Sequence, residues 1–125
     1  MSTRATYLFS NTSMAGEDVC IYIHHDGYPS GAAQYLSNAK HRSSRDRRPL
    51  LESFIAANKG AQITHSHQAH GDTDYRYYTN GKYLTAHQRI ISLQDDGFSS
   101  YWKVIFSESL DNFILEQLQT AEALA

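Results

Sequence analysis

The sequence predicts a single α+β domain, a mainly antiparallel sheet with three helices packed on one face. Three observations carry this expectation. Runs with alternating apolar residues open the chain and return in its second half. Runs with helical spacing lie between them and at the end. Asn80-Gly81, between two strand-like runs, is the strongest short-range hairpin signal a sequence offers. The 125 residues and 14.2 kDa suit one core with little room for a second, so residues 1–125 are expected to fold as one unit.

Thr3–Asn11 reads as a first strand, and the polar stretch NTSMAGED turns the chain into a second, Val19–His25. Asp26-Gly27 breaks that pattern. Pro29 suits a first helical turn, where its fixed φ and missing N–H cost nothing, and Ala32, Ala33, Leu36 and Ala39 follow at helical spacing. This helix is expected to be short and to give way to a basic loop, Lys40–Arg48. Pro49 opens a second helix with Leu50, Leu51, Phe54 and Ile55 on one stripe, and Gly60 is expected to cap it. Ile63–Gln68, Tyr75–Thr79 and Lys82–Arg89 read as strands. Phe98–Phe106 is so continuously apolar that a central strand covered on both faces is expected. Ser107 or Ser109 can cap a final helix, with Glu108 and Asp111 near its positive end and Leu110, Phe113, Ile114, Leu118, Ala121 and Leu124 as its stripe. Exposed strand edges and the surplus of aromatics suggest a homodimer or higher homo-oligomer.

Composition excludes some classes. With 41% apolar and 19% charged residues the chain is neither disordered nor built to span a membrane, and it lacks the roughly 20 apolar residues in a row that a membrane helix needs. The N-terminus MSTRATYLFSN does not read as a secretory leader, so a soluble cytoplasmic protein is expected. The lone Cys20 sits in a strand pattern and reads as a core thiol. A net charge of −2 hides an asymmetry: Lys40–Arg48 holds five basic residues and Asp46, so it carries +4 and the remainder −6.

Three stretches could carry chemistry. The first is the strand end, turn and helix start. Main-chain N–H groups at a helix start lack internal partners and attract anions, and small residues leave them open. His24, His25, Asp26, Gly27, Tyr28, Ser30 and Gly31 would form the cradle. If the basic loop folds back, Arg42, Arg45, Arg47 and Arg48 would clamp phosphate oxygens with their planar forks. In the second, THSHQAHGDTD, His65 and His67 would share a strand face, with His70 beyond them, an alternative set for zinc. Its spacing resembles the H-x-H-x-D-H motif of metallo-β-lactamase-type hydrolases, although Ala69 stands where that family has aspartate. In the third, DYRYYTNGKYL, alternation puts Arg76 and Tyr78 on one face, where a guanidinium beside a ring could hold a nucleobase. No Walker loop, paired-cysteine zinc motif or G-x-S-x-G is present, so no catalytic residue is assigned and binding is favoured over enzymatic activity.

The segment YIHHDGYPSGAAQYL is similar to a pattern found in small bacterial, phage and prophage proteins: histidine, a variable residue, Asp-Gly-Tyr-Pro and a small-residue helix start. His24, Asp26, Gly27, Tyr28 and Pro29 match it, with His25 in the variable place. The resemblance implies a mobile-element origin. In size and α+β order the chain also resembles the Thoeris anti-defence sponges, phage proteins that sequester cyclic ADP-ribose-type signals without cleaving them; no ligand residues are carried over from that family. Together these readings favour a small binding protein for a phosphorylated or nucleotide-like ligand, with no resident cofactor and no membrane partner. The alternatives are a zinc hydrolase on His65, His67 and His70, and an inhibitor that docks a protein or nucleic acid through its basic loop.

Overall fold

Alternation in the first strand divides its side chains between two environments. Ala5, Tyr7 and Phe9 point to one face and are buried, and Thr6 and Leu8 point to the other. The computed structural model describes the backbone of residues 2–124 and the side chains of residues 2–120. Strands β1 (Ala5–Phe9) and β2 (Val19–Ile23) form the expected opening hairpin, followed by helices α1 (Pro29–Asp46) and α2 (Leu50–Ala57). Then come β3 (Gln62–Thr64), one 3-10 turn at His67–Ala69, β4 (Tyr75–Thr79), β5 (Tyr83–Gln94), β6 (Gly97–Ser109) and α3 (Leu110–Leu124). The sheet order is β3-β2-β1-β4-β5-β6, antiparallel throughout except for the parallel pair β1 and β4.

All three helices cover one face, as expected for this α+β architecture. Ile21, Tyr7, Tyr77 and Ala86 form one rung across β2, β1, β4 and β5. Over it lie Ala32, Ala33, Leu36 and Ala39 of α1, Leu51 and Phe54 of α2, and Leu110 and Phe113 of α3. Four small or aliphatic residues on α1 let its backbone approach a sheet face made of large rings. Tyr7 contacts Tyr35, Phe54 and Tyr77 at centroid distances of 6.4, 5.2 and 5.0 Å. Ala121 and Leu124 of the expected stripe lie outside the described side chains. No helix among the described residues is long and apolar enough to cross a membrane.

Four sequence expectations are corrected. The basic segment is not a loop: α1 runs 18 residues, through Arg42 and Arg45, and ends where Arg47 adopts the left-handed conformation at φ 54° two residues before Pro49. Lysine, arginine and serine are compatible with helix, and Arg42 pairs with Asp46 one turn on at 3.6 Å. Asn58, not Gly60, closes α2, its side-chain amide donating to the Phe54 carbonyl at 2.9 Å and the Tyr35 carbonyl at 3.2 Å. β3 stops at Thr64, so His65 and His67 do not share a strand face. β6 is an edge strand, not a central one, and much of its apolar run faces solvent. An uninterrupted apolar strand is what double burial produces, but the same pattern arises where a bare edge awaits a cover.

Candidate functional site

The face of the sheet turned away from the helices is assembled by register alone. Tyr22, Thr6, Arg76 and His87 sit opposite one another across β2, β1, β4 and β5, forming a polar rung where the helix side has an apolar one. The next rung holds Cys20, Leu8, Tyr78 and Thr85. Beyond the bulge at Ala86/His87, Trp102 and Val104 of β6 join the same face opposite Arg89 and His87.

The connection from β3 to β4 folds back over the β1–β2 half of this face. His67 Nδ1 lies 2.6 Å from Thr6 Oγ1. The His70 ring stacks on Tyr22 with centroids 3.9 Å apart, and its Nε2 lies 2.9 Å from Thr64 Oγ1. The Tyr22 hydroxyl is 2.9 Å from His24 Nδ1, which also accepts from Arg4 Nε at 3.1 Å. Arg4 in turn pairs with Asp72 at 3.3 Å. Three histidines, from a strand end and a connecting loop, thus converge with two arginines on one surface.

Arg76 is the electrostatic centre. Its guanidinium lies 3.9 Å from the Trp102 ring centroid. Half-buried, it has no carboxylate within ion-pair reach among the described residues, and its Nε has no hydrogen-bond partner. Burial pulls its pKa below the ordinary arginine value; the Cys20 side chain opposes this and Arg89 adds to it. Burial likewise lowers His67 to about 4, helped by the charges of Arg76 and His87. Every nearby acid is already used, Asp72 by Arg4 and Asp74 by Arg89 at 3.5 Å. A partly desolvated cation without a counter-charge, with His87 opposite it and His67 within electrostatic reach, is an arrangement an incoming anion would complete.

The residues expected at a phosphate clamp do not come together. His24 stands on the open face, and His25 is exposed with Nδ1 2.9 Å from Ser2 Oγ. Gly27 is buried, donating its N–H to the Thr3 carbonyl and accepting the Tyr77 hydroxyl. Tyr28 donates to the Asp26 carboxylate at 3.2 Å, which places negative charge beside the helix start. Ser30 and Gly31 lie in the first turn of α1, where a Cβ on Gly31 would meet the Asp26 carbonyl oxygen at 2.0 Å, and a cavity of about 240 Å³ beside them is lined by Asp26, Tyr28, Gln34 and Tyr35 as well. Arg42, Arg45, Arg47 and Arg48 lie at the other end of α1, about 20–27 Å away along a helix rising 1.5 Å per residue. The length of α1 therefore separates these arginines from its own start.

Arg76 and Tyr78 do share the open face, as alternation in β4 required. His65 is exposed, His67 faces Thr6 and His70 faces Tyr22 and Thr64; among the described residues no three His, Cys, Asp or Glu side chains form a group that could hold a metal. Sequence reasoning missed Arg4, Thr6, Tyr22, His87 and Trp102. The polar Thr6 amid an apolar strand and the Thr85/His87 alternation were the available signals, but their meeting with Arg76 depends on the β1–β4 pairing. A groove of about 740 Å³ between α1 and α3, lined by Lys40, His41, Ile114 and Leu118 among others, lies on the opposite side of the sheet. No protein-family model, curated protein or solved structure matches the chain.

Proposed function

We propose that the protein is a small binding protein that takes a phosphorylated, nucleotide-like ligand on the open face of its sheet. The observation that carries this reading is Arg76, a half-buried guanidinium held on Trp102 between His67 and His87 with no carboxylate of its own. A phosphate would supply the missing charge, the imidazoles would donate to its oxygens, and Tyr78 offers a ring face to a base. The narrower reading rests on the resemblance to the Thoeris anti-defence sponges: a phage- or prophage-encoded protein that sequesters a cyclic ADP-ribose-type signal in the host cytoplasm.

Thermal shift of ligand-free protein against pyrophosphate, cyclic nucleotides and ADP-ribose derivatives tests both. A ligand at 100 times its Kd stabilises by about 2.7 kcal/mol, on the order of 10 °C for a chain of this size. The shift should vanish in Arg76→Met and persist when Arg42, Arg45, Arg47 and Arg48 are replaced together by glutamine. No shift with any compound, or an undiminished shift in Arg76→Met, would sink the reading. Chromatography of the recovered ligand separates the sponge from an enzyme, since a sponge returns it unaltered.

A further inference from the structure

β5 and β6 are 12 and 13 residues long, against five in β4, and the part of β5 that pairs with β4 is Leu84–Gln88. The hairpin Arg89–Trp102 therefore stands beyond its neighbours as an arm whose two strands, among the described residues, pair only with each other. That arm is apolar where solvent reaches it: Phe98 is 80% exposed, Leu93 76%, Ile91 59% and Tyr101 55%, and Val104, next to the arm and opposite His87, is 51% exposed. Ile91, Leu93, Phe98 and Val104 share the open-face side through the pairs Leu93 with Phe98 and His87 with Val104. Among the described residues the outer side of β6 has no neighbouring strand, so its N–H and C=O groups on that side are unpaired in the sheet. Edges are usually guarded by proline, charge, bulges or short length; Gly97–Val104, ahead of the bulge at Ile105, has no proline and one guarding charge, Lys103.

We propose that this edge is the interface with a second copy of the chain, two β6 strands meeting antiparallel to continue one sheet through both copies. Identical edges that meet antiparallel are related by a two-fold axis, so the contact closes at two and leaves no growing end. With Tyr101 facing its counterpart, Phe98 falls opposite Val104 and Lys103 opposite Ser99, so apolar residues meet and no like charges do. Three of these side chains, Phe98, Tyr101 and Val104, stand on β6 itself and present about 300 Å² on each copy, under half of the roughly 800 Å² that each partner gives a standard interface, and main-chain pairing along the edge supplies the remainder of the contact. The interface does not depend on the ligand reading.

Light scattering after size exclusion tests it on the full chain. At about 100 μM, where a micromolar interface is largely assembled, the mass should be twice 14.2 kDa. Phe98→Lys/Tyr101→Lys should run as a monomer with unchanged circular dichroism, and Leu115→Glu, on the exposed side of α3, should remain a dimer. Hydrogen exchange on the unmodified chain gives a second reading, in which protection of the Gly97–Phe106 amides rises with protein concentration. A monomer at that concentration, a dimer undone by Leu115→Glu and not by the arm variant, or β6 exchange independent of concentration would each overturn the proposal.

Discussion

Tyr7 and Tyr77 face each other on the two parallel strands, rings 5.0 Å apart and 14° from parallel, yet only one has its hydroxyl satisfied among the described residues. Tyr77 donates to the Gly27 carbonyl at 2.6 Å, and the Tyr7 hydroxyl is buried with no partner among the described residues. Burial pushes both phenols well above their ordinary pKa. An unmade buried hydrogen bond costs about 1–3 kcal/mol, so Tyr7→Phe is expected to be neutral or to stabilise by about 1 kcal/mol. Tyr77→Phe should cost about 1–2 kcal/mol, because it orphans the Gly27 carbonyl. Urea titration of the two variants checks the opposite signs; equal losses would refute the assignment.

Gly31 inverts the usual helix preference. Alanine normally gains about 1 kcal/mol over glycine inside a helix. Here the added Cβ would stand 2.0 Å from the Asp26 carbonyl oxygen, which is backbone and cannot swing aside. Gly31→Ala is expected to destabilise by about 1–3 kcal/mol. Gly71→Ala, with nothing within 4 Å of its Cβ position, should change stability by less than about 0.5 kcal/mol.

His67 makes stability sensitive to mild acid. Its folded pKa is about 4, first because it is buried and then because Arg76 and His87 carry charge nearby, whereas the unfolded imidazole titrates near 6.5. Between these values the unfolded chain binds more protons, so stability rises with pH through the window and falls as pH drops from 6.5 toward 4. After discounting for solvent screening, the wild type should lose about 1–2 kcal/mol more across that window than His67→Gln. Parallel loss in both proteins would remove His67 as the source.

Arg76 trades stability for binding. Replacing a half-buried unpaired cation by an apolar side chain of similar length removes its desolvation cost and also about 1 kcal/mol of contact with Trp102. Arg76→Met should therefore leave the unfolding free energy within about 1 kcal/mol of wild type while anion binding disappears. A large loss of stability would mean that the guanidinium is structural.

Cys20 should be chemically quiet. Burial raises its thiol to about 11, outweighing the opposing effects of Arg76 and the Ile21 N–H. At pH 8 that leaves about one thiolate in a thousand, so native protein should react with a disulfide reagent far more slowly than urea-unfolded protein. Native and unfolded rates within tenfold of each other would contradict this.

Local physics was legible where a period or a turn decided the matter. β4 falls where alternation placed it, the Asn80-Gly81 hairpin forms with Asn80 Oδ1 accepting from the Lys82 and Tyr83 N–H groups, and α1 begins at Pro29. The split of Tyr75 and Tyr77 from Arg76 and Tyr78 also follows from the strand period. The end of α1 was illegible because charged residues are as common in a solvated helix as in a loop, and only the left-handed Arg47 marks the stop. The position of β6 was illegible because an apolar run reports a demand for burial and not what meets it.

By itself, then, the sequence determined where most strands and helices begin, the helix-facing stripe and the sharing of one face by Arg76 and Tyr78, since each depends on neighbours a few residues away. The tertiary structure alone decided that β1 lies parallel to β4, setting Thr6 beside Arg76, and that the β3–β4 connection brings His67 over Thr6. It also decided that the arginines of the basic segment lie at the far end of α1 from the helix start. Pairings between residues some 60–70 positions apart are chosen by the burial of the whole apolar face and leave no trace in local periodicity.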